Sequence, residues 1–206
     1  MSNATFWDKA ATKYAASPIK DMQAYEDTLD RARHYLRPED RLLEVGCGTG
    51  TTALKLAKDV AHITATDISG EMLAFGERKK TEQGIDNVTF VRSEITEPVS
   101  GAPFDAVFAS SILHLVDNLD VTLAHLFQQV KPGGYAITKT ACLRNMSMFI
   151  PPMIKVMQFF GKAPPVLVFS TDELDQAFRR AGFKVIETGH FGKSRYVHFV
   201  VAQRPA

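Results

Sequence analysis

The decapeptide Arg41 to Gly50, Arg-Leu-Leu-Glu-Val-Gly-Cys-Gly-Thr-Gly, constrains this chain more than any other stretch. It opens as a short apolar run behind the polar turn Pro38-Glu39-Asp40, which suits a buried parallel strand. It closes on glycine at 46, 48 and 50, and Thr51 to Val60 then reads as a helix. A strand passing through a glycine turn into a helix is the first unit of a doubly wound α/β sheet. Glycine serves such a turn by reaching positive φ without strain and by letting a ligand approach the backbone closely. The helix start behind it offers unpaired N–H groups and a partial positive charge.

Two details narrow the ligand. A dinucleotide fingerprint, G-x-G-x-x-G, would place glycine at 51, where this chain has Thr51. An acid, Glu44, stands two residues before Gly46. The pattern E-x-G-x-G-x-G resembles motif I of the class I S-adenosylmethionine (SAM)-dependent methyltransferases. The resemblance implies that Gly46, Cys47, Gly48 and Gly50 lie under the methionine part of SAM. It also implies that Glu44 lies near the SAM amino group. A plain tight turn between strand and helix would use the same glycines.

A chain of 206 residues suffices for one domain with a substantial core. The expected organisation is a single domain over 1–206, with an N-terminal cap at about 1–37 and a lid insertion at about 143–169. The formal net charge of +1 gives no field that would steer the chain to nucleic acid or acidic lipid. Cys47 and Cys142 lack a C-x-x-C partner, so a reducing, cytoplasmic setting without disulfides is expected. No basic-then-apolar leader opens the chain, and no run of 18 apolar residues could span a membrane. The six histidines include no H-x-x-x-H pair, so no metal is expected.

Met1 to Ser17 is polar with scattered Phe6, Trp7 and Tyr14. It resembles the N-terminal segment of many small-molecule methyltransferases, where Tyr14 would hydrogen-bond the SAM carboxylate. A surface helix with docked aromatics is the other reading. Met22, Tyr25, Leu29, Ala32 and Leu36 keep helical spacing, so a helix should run to about Arg37, before Pro38.

Ala61 to Asp67 reads as the second strand, with Asp67 at its carboxyl end, where this kind of fold places an acid to accept ribose hydroxyls. A carboxylate offers two acceptor oxygens to a cis-diol. Asp67-Ile68-Ser69 also suits a cap for the helix Gly70 to Thr81, and the readings are compatible. Ile68 and Met72 would then adjoin the nucleoside. Val88 to Val91 is the third strand. In the family, an acid in the loop after it meets the adenine amino group and an apolar neighbour packs on the ring. Ser93, Glu94 and Ile95 hold those places here, although Asp is commoner than Glu. A solvent-exposed Glu94 is the alternative.

Phe104 to Ala109 is the fourth strand, followed by Ser110-Ser111-Ile112-Leu113-His114. The segment resembles motif IV, whose backbone and small side chains, here Ser110 and Ser111, line the transfer site. His114 matches a position often occupied by histidine in small-molecule methyltransferases, and it is the candidate catalytic residue. A core histidine bonded to a carbonyl is the alternative.

A helix carrying Leu119, Leu123, Leu126, Phe127 and Val130 should stop at Lys131-Pro132-Gly133-Gly134, another family hallmark, with a fifth strand from Tyr135. Leu143 to Phe169 holds four of the seven methionines, and Met153, Ile154, Met157 and Phe160 fall at helical spacing. Pro151-Pro152, Lys155 and Pro164-Pro165 rule out one membrane helix. In the family this place often carries a substrate lid, and adaptable Met and Phe would suit an apolar acceptor. Core cover and a homodimer contact remain equal alternatives. Ser170 and Glu173 form a capping box. Phe183 to Glu187 and Tyr196 to Ala202 are the last two strands, an antiparallel pair.

The expected fold is therefore a doubly wound, seven-stranded, mostly parallel sheet of the Rossmann-like methyltransferase type, with an antiparallel last strand. The resemblance implies methyl transfer from SAM to a small-molecule acceptor, leaving S-adenosyl-L-homocysteine. A SAM-binding protein without transferase activity would share the same cofactor half. An NAD-dependent oxidoreductase is opposed by Thr51 and the closing hairpin. A nucleic-acid methyltransferase is opposed by the neutral charge and by the lack of an Asn-Pro-Pro-Tyr-like motif.

Overall fold

The computed structural model describes residues 3–146, 153–154, 157–158 and 163–206. Two helices, α1 (Asn3–Ala15) and α2 (Met22–Arg33), precede the sheet. There follow β1 (Arg41–Val45), α3 (Thr51–Leu56), β2 (His62–Asp67), α4 (Gly70–Gln83), β3 (Val88–Arg92) and β4 (Phe104–Ser110). The chain continues as α5 (Leu119–Gln129), β5 (Val130–Ala141), α6 (Thr171–Arg180), β6 (Lys184–Gly189) and β7 (Val197–Gln203). The strand order is β3-β2-β1-β4-β5-β7-β6 in one seven-stranded sheet. β7 runs antiparallel to both β5 and β6, while β1 to β5 are parallel. The expected sheet is thus present.

Period-two alternation sorts the strands between two cores. Leu43, Val45, Val107, Ala109, Ala136 and Val200 face α5 and α6, meeting Leu123, Leu126, Leu174 and Phe178. Leu42, Ile63, Ala65, Phe108, Ile137 and Val201 face the other way, onto Leu29 and Ala32 of α2 and Ala53 and Leu56 of α3. Burial on both sides explains why these strands read as continuous apolar runs.

Two boundaries differ from expectation. α2 ends at Arg33 rather than Arg37, and residues 34–36 form i→i+3 turns. The Tyr35 hydroxyl donates to Glu187 Oε2 at 2.5 Å, and its ring meets Tyr135 at 5.3 Å. Arg31 also pairs with Glu187, so this turn is drawn toward β6. β5 begins at Val130 rather than Tyr135, because the glycines are paired: Gly133 N–H donates to Arg204 O and Arg204 N–H to Gly134 O. Within the lid region, Leu143–Asn145 is a 3₁₀ turn, and residues 153–154 and 157–158 are helical. Pro151, Pro152, Lys155 and Phe160 lie outside the described residues.

The capping box forms as expected. Glu173 N–H donates to Ser170 Oγ at 3.2 Å, and Ser170 N–H to Glu173 Oε2 at 2.7 Å. Ser170→Ala should therefore destabilise the protein by about 1 kcal/mol. A urea midpoint shift with an unchanged m-value would show it, and an unmoved midpoint would mean that the cap contributes nothing.

Candidate active site

β1, β2, β3 and β4 end on the rim of a single cavity of about 930 Å³. Gly46, Asp67, Ser93 and Ser110–Ser111, at or just past the ends of these strands, all line it. This is the crevice at the carboxyl ends of an open α/β sheet, on either side of the point where the strand order reverses.

The glycine turn forms its floor. Gly46 has φ +64°, and a Cβ there would lie 2.6 Å from Ile112 Cγ1. Gly48 lines the cavity beneath Tyr14, whose ring would be 3.6 Å from a Cβ at that position. The turn is braced from β2. Asp67 Oδ2 accepts the Gly48 N–H at 2.8 Å, and Oδ1 accepts the Ser69 N–H at 2.9 Å. Ser69, not Asp67, caps α4, accepting the Met72 N–H at 3.1 Å. Both Asp67 oxygens are thus oriented by backbone, and each keeps a further lone pair. Burial raises the Asp67 pKa against these two hydrogen bonds.

Of the other expected cofactor residues, Tyr14, Ile68, Met72, Ser93, Glu94, Ile95, Ser110 and Ser111 line the cavity together with Gly46, Gly48 and Asp67. Glu44, Cys47 and Gly50 do not; they stand behind the turn. Glu44 is 3% exposed, with Oε2 buried and without a hydrogen-bond partner. The Ala53 N–H, in the first turn of α3, hydrogen-bonds its carboxyl. Glu44 therefore serves a helix start that Gly50 cannot cap with a side chain. Cys47 donates its N–H to Thr66 O at 2.9 Å, and burial holds its thiol protonated. Gly50 packs against Phe90, where a Cβ would lie 2.5 Å from the ring.

α1 closes one side. Asp8 Oδ1 accepts the Ser69 hydroxyl at 2.6 Å, which docks α1 on the start of α4. Trp7 and Tyr14 project to the cavity and meet edge to face, with centroids 6.4 Å apart. Tyr14 remains 51% exposed because one side of its ring faces open cavity. Burial, then the Asp67 and Glu44 charges, pushes its phenol up.

His114 lies in the opposite wall, on a 3₁₀ turn after β4. Burial lowers its pKa to about 4, so the ring is neutral near pH 7. Its Nδ1 is buried without a partner, and the residue lines the cavity. Its carbonyl accepts the Leu167 N–H at 2.8 Å, tying the segment before α6 to this wall. Ser111 beside it has φ +58°, a left-handed conformation uncommon for serine, fixed by its N–H bond to Lys139 O at 2.7 Å.

The sequence reading missed much of this wall. Ile112, Leu115, Val116, Asp117, Asn118, Val121 and Thr122 line the cavity, as do Asn3, Ala4, Thr66 and Thr96. Position after a central strand was a usable signal for the first group. Leu143, Ile154, Met157, Ala163, Pro164 and Val166 carry the lid region into the same wall. Among the described residues, no cluster of His, Cys, Asp or Glu could hold a metal, and no helix is long and apolar enough to cross a membrane.

A mostly parallel sheet with one antiparallel strand, holding a glycine turn and a backbone-braced acid over its carboxyl edge, defines a Rossmann-like nucleoside-cofactor enzyme. The chain belongs to the class I SAM-dependent methyltransferases, since the family profile described as a methyltransferase domain matches residues 36–182. The malonyl-[acyl-carrier protein] O-methyltransferase of Priestia megaterium is 26% identical over 182 residues, 85% of this chain and 65% of that protein. The ubiquinone/menaquinone biosynthesis C-methyltransferase of Brucella anthropi is 33% identical over 125 residues, 58% of this chain and 46% of that one. The chain thus spans less than two thirds of either relative's length. Among solved structures, a chain of the complex between the Haloferax volcanii Trm112 methyltransferase activator and a methyltransferase superposes with TM-score 0.78 at 17% identity. It covers 97% of this chain and 98% of that one.

Burial, followed by the Asp67 charge, pushes Glu44 from the ordinary 4.5 up to about 8. Between those values the unfolded chain has lost this proton while the folded chain keeps it. The folded state binds more protons there, so this contribution to stability falls as pH rises through the window. Glu44→Gln removes the slope. Without ligand, the variant should gain on the parent steadily from about pH 4.5 to 8, by at most about 1.4 kcal/mol per unit. Parallel Tm-versus-pH curves for the two proteins would contradict a protonated Glu44.

Proposed function

We propose that this enzyme transfers the methyl group of SAM to a small-molecule acceptor by in-line displacement. The observation that carries the reading is Asp67: its two oxygens are set by the Gly48 and Ser69 N–H groups at the end of β2 and face a cavity floored by Gly46 and Gly48. A cis-diol donating two hydroxyls fits that carboxylate. Ile68, Met72 and Ile95 offer apolar surface to a base, with Ser93 and Glu94 at its edge. Tyr14 reaches over the turn toward the amino-acid end. Glu44, Cys47 and Gly50 act on this site through the turn they support, not by contact.

SAM, held by Asp67, Gly46, Gly48 and Tyr14, would supply an electrophilic methyl group for in-line displacement by the acceptor. The chain's own residues align and dehydrate. Ser110, Ser111 and Ile112 present the end of β4 to the transfer point, and α1 with residues 163–167 covers it. Alignment and exclusion of water then carry much of the rate. His114, in the same wall, offers a neutral imidazole to the acceptor. Its lowered pKa makes it a weak base, so it orients a nucleophile better than it deprotonates one.

Asp67→Ala should weaken S-adenosyl-L-homocysteine binding by about 1–3 kcal/mol, roughly five- to 150-fold in Kd by calorimetry. Unchanged affinity would refute the ribose assignment. His114→Ala should leave that affinity intact yet slow methyl transfer, and the parent rate should show no inflection near pH 6.5 from this ring. Equal turnover by parent and variant would remove His114 from the site's chemistry.

A further inference from the structure

One cation stands directly behind the glycine turn. Lys79, on α4, donates from Nζ to the Thr49 carbonyl at 3.1 Å, to Thr49 Oγ1 at 3.0 Å and to Thr51 Oγ1 at 2.9 Å. These bonds use all three protons of an ammonium. All three acceptors are neutral oxygens, and among the described residues Lys79 joins no ion pair. Burial lowers its pKa, with no neighbouring acid to raise it again. The ammonium also sits at the start of α3, the positive end of a helix, where a cation is disfavoured. A lysine at the surface would keep its water and its rotamer freedom instead.

What the cation orients is the chain from Gly48 to Thr51. Asp67 accepts the Gly48 N–H from the β2 side, and Lys79 donates to the Thr49 carbonyl from the α4 side. A carboxylate holds the donor and an ammonium holds the acceptor, so this short stretch is fixed at both ends. α4 comes close enough because Gly76 stands one turn before Lys79. A Cβ on Gly50 would lie 3.2 Å from Gly76 Cα, and one on Gly76 would lie 2.7 Å from the Phe90 ring. Gly48 lines the cavity, whereas Thr49, Thr51 and Lys79 stand behind it. Given the SAM reading of that cavity, we propose that Lys79 is a positioning residue for the cofactor, setting the Gly48–Gly50 backbone through Thr49 and Thr51. Without it, the cofactor must order the turn as it binds.

The test titrates the full chain calorimetrically with S-adenosyl-L-homocysteine and follows amide exchange in the ligand-free protein. Lys79→Met should weaken the affinity about tenfold, and Lys79→Arg, which keeps the charge and the donors, should recover most of it. Thr51→Val removes one acceptor and should cost about threefold in the parent but nothing further in Lys79→Met, because both changes delete the same bond. Amide exchange over residues 47–52 should quicken about tenfold in Lys79→Met, while β5 and β7 exchange as in the parent. Parental affinity in Lys79→Met overturns the proposal, and so does exchange that quickens equally across the sheet, which would mark a general packing role. If Lys79→Met does not fold, Thr51→Val decides, and parental affinity there overturns the proposal. A parent that binds no S-adenosyl-L-homocysteine would instead strike the methyl-transfer reading, and exchange over residues 47–52 would still decide whether Lys79 holds the turn.

Discussion

The site depends on the carboxylate of Asp67. One oxygen holds the Gly48 N–H and the other the Ser69 N–H, so one side chain at the end of β2 fixes the glycine turn after β1 and the start of α4. Neither turn is rigid alone, since three glycines at positive φ gain backbone freedom whenever the structure loosens. A carboxylate accepting two backbone N–H groups removes that freedom. The same acid then faces the cavity with its orientation already set, which lowers the ordering cost of binding. Burial works against the arrangement by raising the Asp67 pKa, and the two hydrogen bonds oppose it.

Beside this brace lies a second acid, Glu44, which does not line the cavity. Glu44 sits one strand over from Asp67, buried, with one oxygen unpartnered. Two ionised carboxylates this close in a dry interior would repel, and protonation of the deeper one resolves the conflict. The strand end therefore carries two acids in unlike states: Asp67 oriented and facing the cavity, Glu44 protonated and engaged with α3. The site thus gains a binding charge without stacking a second one beneath it.

Much of this was legible from the sequence because local chemistry and global fold agree. Glycines at 46, 48 and 50, an acid at 67 and the capping box at 170–173 each encode a backbone geometry that forms with little help from distant residues. The mostly parallel, seven-stranded sheet with its antiparallel last strand was expected from the family resemblance, the apolar runs and the closing hairpin, while the strand order came from the structure. What stayed hidden depends on tertiary approach. The pattern E-x-G-x-G-x-G gives no sign that Glu44 points behind the turn, because a strand residue's face is set by the pleat and by α3 packing against it. The early end of α2 was hidden because Tyr35 and Arg31 are captured by Glu187, about 150 residues on. Leu115 to Asn118 looked like an ordinary connection, and Val121 and Thr122 like ordinary helix positions; only folding brings them to the same cavity as Trp7 and Tyr14 of α1.

The acceptor side is built on a different principle from the cofactor side. Around Asp67 the chain uses backbone hydrogen bonds, which allow little variation. Around His114 it uses side chains such as Trp7, Ile112, Leu115, Val116, Met157 and Val166, with Asn118 and Thr122 among them. Such walls discriminate more by volume than by directed bonds, so their selectivity against a missing methylene is small. The buried, neutral His114 fits that setting. An imidazolium there would bring a charge into this wall, and burial removes it.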